Sequence, residues 1–320
     1  MFVYDRVIRL RGSRLTFDAR TRNELVCISH AHADHARTHH LTYATPATAA
    51  LMHARLGKSA ITPVPFGKTM EIEGYRISFH PAGHILGSAQ ILAEREGERL
   101  LYSGDFNTEA SAAAERLEIV PASTLIMECT YGHPRYQFPP RAELVARLCD
   151  WTAGNLKAGR VPVVIGYPLG KSQEAMKILT DNGFALCVHG TILKLARVYE
   201  QFGYRFTRVE PLRRTSDLAG KVLILPRRAE LTRLITRIPN KRTLFLSGWA
   251  VHESFKYRCG VDEALPLSDH ADFKGLLEFV RRVNPAKIFV THGPADFAVH
   301  LRQLGYDARP LRANPQGELF

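Results

Sequence analysis

The sequence has no C-x-x-C spacing, and its five cysteines (Cys27, Cys129, Cys149, Cys187, Cys259) are odd in number and scattered. That pattern argues against a disulfide framework and makes a reducing, cytoplasmic location the expectation. No apolar run approaches the ~18 residues of a membrane span, so no membrane partner is expected. The first fifteen residues carry Asp5, Arg6, Arg9, Arg11 and Arg14, unlike a signal peptide. Trp151 and Trp249 are the only tryptophans, and both read as core. Acids are short, 31 against 43 bases, and the net charge of +12 favours a polyanionic partner while saying nothing about fold. Internal repeats and low-complexity linkers are absent. With 45% hydrophobic and 23% charged residues, the chain is globular and long enough for one large or two ordinary domains.

Short β-branched runs predict strands at 25–29, 75–79, 100–103, 124–127, 161–165, 185–188, 222–225, 243–246 and 287–291. Helical periodicity falls at 47–56, 141–156, 172–182, 192–202, 273–283 and 296–304. The alternation implies a layered α/β architecture. Residues 205–242 hold eleven Lys/Arg against three acids. Within that stretch Arg213 and Arg214 are candidate phosphate contacts, although only Phe206 and nearby Tyr204 offer stacking.

Histidine is the abundant residue, fourteen in all. Residues 30–35 read His-Ala-His-Ala-Asp-His and follow an apolar strand. In extended chain, side chains two apart share a face, so His30 and His32 reach one cation together. Asp34 and His35 are adjacent, and a turn there aims them at a second. Imidazole and carboxylate ligands suit zinc. Six residues cannot close two coordination spheres. His84 in a Gly-flanked loop, Asp105 and His292 after strands, and His270 before a helix supply the remainder. The other histidines, His80 and His189 included, read as packing or surface residues. Lys171 and Ser172 follow a Gly-rich turn into a helix, where a phosphate could rest. The run 166–172 is one residue short of a Walker loop and contains Pro168.

The run at 30–35 resembles the His-x-His-x-Asp-His signature of the metallo-β-lactamase superfamily. His84 and Asp105 resemble its third and fourth motifs, and Asp18 stands where the first-motif Asp is expected. Glu128-Cys129-Thr130-Tyr131-Gly132 resembles motif A of the β-CASP nucleases. Residues 268–273 resemble motif B, residues 290–293 motif C with its His, and residues 166–174 a segment of the inserted domain. The matches run in order from Asp18 to His292. Length and wording most resemble the bacterial ligase-associated DNA exonuclease group, kin of Artemis-type and pre-mRNA 3′-end nucleases. Two features depart: the lead into Asp18 differs from that group, and His292 is a motif-C His that Artemis-type DNA-directed members usually lack and that RNA-directed members and, by resemblance, the ligase-associated group carry. DNA versus RNA is left open on that ground.

The resemblance implies an α/β fold: an αββα metallo-β-lactamase sandwich from residues 1–137 and 264–320. A β-CASP-like α/β domain at 138–263 is inserted, with substrate in the cleft and the basic stretch on the insertion. It implies two zinc ions, with manganese as a substitute. One takes His30, His32 and His84; the other takes Asp34, His35 and His292; Asp105 bridges them. His270 then serves as proton donor or phosphate ligand, with Asp34, Asp105 and Glu128 completing the catalytic set. Glu128 orients His270 or a ligand, and Asp18 braces a ligand imidazole. The expected function is a zinc-dependent nuclease, a DNA exonuclease in end processing or repair, with DNA ligase and helicase as partners. The alternatives are an RNA-processing nuclease of the mRNA 3′-end type, a thioester or lactone hydrolase of the same superfamily, and a binding relative with a dead site.

Overall fold

The computed structural model describes residues 1–227 and 232–312 and divides the chain into two units. The first comprises Met1–Ala110, Ala114–Arg135 and the residues from His270 on; the second comprises Ser111–Ala113 and Tyr136–Asp269. The crossings at 135/136 and 269/270 differ from the 137/138 and 263/264 read from sequence. The second lies later because Glu263–Leu265 pairs in parallel with Lys241–Leu246 and extends the second unit's sheet.

The first unit is a sandwich of two sheets. One runs Phe2–Tyr4, Ile8–Leu10, Leu15–Phe17, Leu25–Cys27, Leu41–Ala44 and Ile61–Pro63, each strand beside the next. The other runs Ala308–Pro310, Lys287–Thr291, Thr124–Glu128, Glu98–Tyr102, Ala89–Arg95, Tyr75–Pro81 and Thr69–Ile72. Side chains of opposite pleat fill opposite cores. Leu100, Tyr102 and Ile126 turn inward to meet Leu15, Phe17 and Cys27 of the first sheet. Leu101, Leu125 and Met127 turn outward against helices. There the helix Phe273–Val283 buries Leu276, Phe279, Val280 and Val283, the i, i+3, i+4, i+7 stripe of an amphipathic helix. Its N-cap is Asp272, which accepts from the Gly275 N–H at 2.8 Å.

The second unit is a parallel sheet in the order Val209–Pro211, Ala185–Val188, Lys221–Pro226, Val161–Gly166, Lys241–Leu246 and Glu263–Leu265. Sheets of this kind are covered on both faces, so their strands are continuously apolar. Val164, Ile224 and Leu244 face a core with the helices Arg141–Lys157, Lys171–Asp181 and Gly190–Gln201. Val163, Leu223 and Phe245 face the other core. No helix among the described residues is long and apolar enough to cross a membrane. No two of the five cysteines are bonded.

Leu223 is fully buried in a central strand. Leu223→Ala is expected to lower unfolding free energy by about 2–5 kcal/mol. Denaturant titration read by tryptophan fluorescence tests this, since Trp151 and Trp249 both lie in the second unit. A loss below about 1 kcal/mol would contradict the placement of that core.

Candidate metal centre

The centre forms where strands of the first unit's two sheets end. Leu15–Phe17 and Leu25–Cys27 are parallel, with Phe17 opposite Cys27, and deliver Asp18 and the run from His30. Glu98–Tyr102 leads to Asp105, and Tyr75–Pro81 to the loop holding His84. Thr124–Glu128 and Lys287–Thr291 are parallel, with Glu128 opposite Thr291, and deliver Glu128 and His292.

Asp105 sits at the middle. Its Oδ2 lies 3.5 Å from His30 Nε2, 3.3 Å from His35 Nε2 and 3.9 Å from His84 Nε2. Its Oδ1 faces His292 Nδ1 at 3.8 Å. His84 Nε2 is 3.0 Å from His32 Nδ1. Two sets of ligand atoms result, one from His30, His32, His84 and Asp105, the other from His35, Asp105 and His292. His30 Nε2, His35 Nε2, His292 Nδ1 and Asp105 Oδ1 are buried atoms with no hydrogen bond. An unmatched buried polar atom costs about 1–3 kcal/mol, so four converging ones need a common partner. Imidazole and carboxylate donors in this arrangement fit zinc. Asp34 stands at the rim, its side chain 63% exposed and its Oδ2 3.7 Å from His35 Nε2.

Asp18 gathers the surrounding bonds. Its carboxylate accepts from the Ser29 N–H at 2.7 Å, the Ser29 hydroxyl at 2.5 Å and the Tyr102 hydroxyl at 2.9 Å. His35 Nδ1 lies 2.7 Å from Asp18 Oδ2, so His35 is held by its outer nitrogen with Nε2 turned inward. The backbone pays with φ of 43° at Asp18 and 47° at His292, the left-handed region that non-glycine residues seldom occupy. Ser29 and Tyr102 were not singled out in the sequence. Their only signal there is position, Ser29 before His30 and Tyr102 at a strand end before Asp105.

Charge in the centre follows from its burial. Burial pushes His30 well below its ordinary value, and neighbouring His35 adds to this. Burial also lowers His292. For His35, burial opposes the proton, but the Asp105 and Asp18 carboxylates outweigh it and raise the group well above its usual range. For Asp105, burial opposes the charge, and the His35 and His30 imidazoles outweigh it, holding the carboxyl well below its usual range.

Glu128 and His270 form a second pair. His270 Nδ1 lies 2.7 Å from Glu128 Oε1, and the His270 ring is 4.5 Å from that of His84. Glu128 is 1% exposed and accepts from the N–H groups of Phe106 and Thr130. Its carboxylate is fixed before it meets the imidazole.

The sequence placed Lys171 and Ser172 as a phosphate seat, and the structure corrects this. Lys171 is 3% exposed, and its ammonium lies 2.5 Å from Asp269 Oδ1. The Ser172 hydroxyl donates to the Tyr167 carbonyl at 2.6 Å. Both polar ends are spent inside the second unit, because a buried ammonium requires a carboxylate. Trp249, read as core, is 38% exposed and meets Tyr136 edge-on. Arg213 and Arg214 are exposed, without carboxylate partners among the described residues. Elsewhere in the basic stretch, Lys221 pairs with Glu210 and Arg242 with Asp262. Arg228 and Glu230 lie outside the described residues. His80 sits between Ser78 and Glu118, and His189 caps the helix Gly190–Gln201; neither joins the cluster.

Comparison with known proteins adds relatives. A family profile described as a Zn-dependent metallo-hydrolase RNA specificity domain matches residues 256–313. A protein of Opitutus terrae named "Probable DNA ligase" is 42% identical over 299 residues, covering 91% of this chain and 29% of that protein. The Schizosaccharomyces pombe protein named "Endoribonuclease ysh1" is 24% identical over 288 residues, covering 73% and 38%. The chain thus spans about a third of the length of these relatives. A solved structure of a protein of unknown function from Enterococcus faecalis V583 matches with TM-score 0.66 and 13% identity, over 96% of this chain and 94% of that one. That likeness is one of fold.

Two outcomes are expected of the metal-free protein. His35 carries a proton near neutrality that a cation must displace, so zinc uptake releases it and affinity falls as pH is lowered. Calorimetry in buffers of different ionisation heat measures the release, and a count of zero would contradict it. Asp18→Asn keeps a residue that tolerates left-handed backbone but loses the charge that orients His35. Zinc affinity should fall about 10–100-fold against a chromophoric chelator; an unchanged value would leave Asp18 without that role.

Proposed function

We propose that this chain, which belongs to the β-CASP nuclease branch of the metallo-β-lactamase superfamily, hydrolyses phosphodiester bonds of nucleic acid with two zinc ions. The observation that carries the reading is the convergence of four imidazoles on Asp105, with the inner nitrogens of His30, His35 and His292 unmatched. Zinc bound there supplies Lewis acidity, activating water and neutralising phosphoryl oxygens. His30, His32 and His84 form one face of the ligand set, with His35, His292 and the rim carboxylate of Asp34 on the other. Asp105 would serve both, since its Oδ2 faces His30 and His84 of one set and its Oδ1 faces His292 of the other.

Cleavage leaves an alkoxide that requires a proton. We assign that donation to His270, whose ring lies 4.5 Å from that of His84. Glu128 holds Nδ1 and so makes Nε2 the atom that transfers the proton. Glu128 also stabilises the charged ring before transfer, which sets the geometry of the donor without Glu128 touching substrate.

DNA is the favoured substrate, cut from an end in end processing. A relative that matches 91% of this chain carries the name "Probable DNA ligase", which also makes a ligase the favoured partner. A second reading, RNA cleavage, is favoured by the RNA specificity description of the profile at residues 256–313 and by the endoribonuclease name of another relative.

A time course on end-labelled single-stranded DNA and RNA of equal sequence, with and without chelator, separates the readings. Chelator-sensitive DNA cleavage from one end is expected; cleavage of a chromogenic ester alone would overturn the nuclease reading. His270→Ala should cut the rate about 10²–10⁴-fold with zinc content unchanged. Asp105→Ala should lose both activity and zinc by elemental analysis; full occupancy would remove Asp105 from the bridge.

A further inference from the structure

A cavity of about 730 Å³ lies beside His292, within the first unit. Arg6, Arg20, Thr21, Asp18, Tyr102 and His292 are among its walls. Its volume falls in the ~300–1,000 Å³ range of small-ligand sites. The two arginines arrive from separate segments. Arg6 stands in the turn between Phe2–Tyr4 and Ile8–Leu10, with φ of 56°, and Arg20 follows Asp18 by two residues. Both are exposed, and among the described residues neither forms an ion pair. Two acids also reach the wall. Asp18 has its carboxylate committed to Ser29, Tyr102 and His35, while Asp5 is exposed.

Arg20 makes one contact that links the cavity to the centre: its Nη2 lies 3.2 Å from His292 Nε2. A guanidinium only donates, so His292 accepts at Nε2 and carries its proton on Nδ1. A cation bound at Nδ1 requires the lone pair there and moves the proton to Nε2. Nε2 then has nothing to offer Arg20. Binding of a cation by His292 and the contact with Arg20 exclude each other.

We propose that Arg20, with Arg6, is a phosphate clamp that is released into this cavity when the centre binds zinc, and that it holds the phosphate next to the scissile one. The inference rests on the nucleic-acid reading above. Arginine suits the role because its planar fork meets phosphate oxygens two at a time. Coupling its release to metal loading means that the chain grips substrate firmly only when it can cut.

The test uses the intact chain, a zinc competition titration and anisotropy of a labelled phosphorothioate single strand on zinc-loaded protein. Arg20→Ala should raise zinc affinity several-fold while weakening strand binding about 10-fold. It should also reduce the salt dependence by about one phosphate contact. Arg6→Ala should weaken strand binding alone, and Arg20→Lys should restore part of it. Opposite signs for metal and strand are the signature, since a merely structural loss weakens both. Weaker zinc binding, or equal strand binding by the zinc-loaded variants, would overturn the clamp. Wild-type protein that neither binds nor cuts the strand would sink the nuclease reading and the clamp with it. Wild type that cuts while the variants bind equally would sink the clamp alone.

Discussion

A carboxylate buried among imidazoles is the constraint on which the first unit depends. Asp105 is 6% exposed, and an isolated charge at that depth costs several kcal/mol. It is tolerated only because four histidines from three segments present nitrogens to its two oxygens. Those segments must end in register, since a slip of one residue turns a side chain to the opposite face. Close approach is secured by glycine beside the ligands. A Cβ on Gly104, whose φ is 55°, would come within 2.7 Å of Ser29 Cβ. A Cβ on Gly293, after His292, would strike the Cys129 carbonyl. The backbone is thus fitted to the side chains it presents.

The same constraint explains how legible the chain was. All nine strands and six helices read from sequence are present, with ends moved by a residue or two. Strands of the second unit are buried on both faces, so their apolar runs stand out. The three-residue strands Phe2–Tyr4, Ile8–Leu10 and Leu15–Phe17 did not. They are too short for a periodicity and exist because neighbours pair with them. Ala89–Arg95 was hidden in another way. Its charged end resembles a helix surface, and only pairing with Tyr75–Pro81 and Glu98–Tyr102 makes it a strand.

At the centre, ligand-type residues are visible because few other roles cluster histidine so densely. Their supports are not. Ser29 and Tyr102 are common residues whose meaning lies in what folds against them, and Asp18 was reached through resemblance rather than spacing. Lys171 shows the converse error. A lysine at a Gly-rich turn suggests a phosphate, yet its partner Asp269 lies 98 residues away and cannot be seen from the turn.

That error bears on how the net charge of +12 should be weighed. A cation already neutralised by a carboxylate releases little counterion on meeting a phosphate. Lys171 with Asp269, Arg141 with Glu174, Lys221 with Glu210 and Arg242 with Asp262 are spent on the fold itself. Arg6, Arg20, Arg213 and Arg214 are exposed without such partners among the described residues. The capacity to hold a polyanion therefore rests on which cations are left unpaired and where they lie, and not on the total. Two of them line the cavity beside His292, where the sequence alone showed only a basic N-terminus.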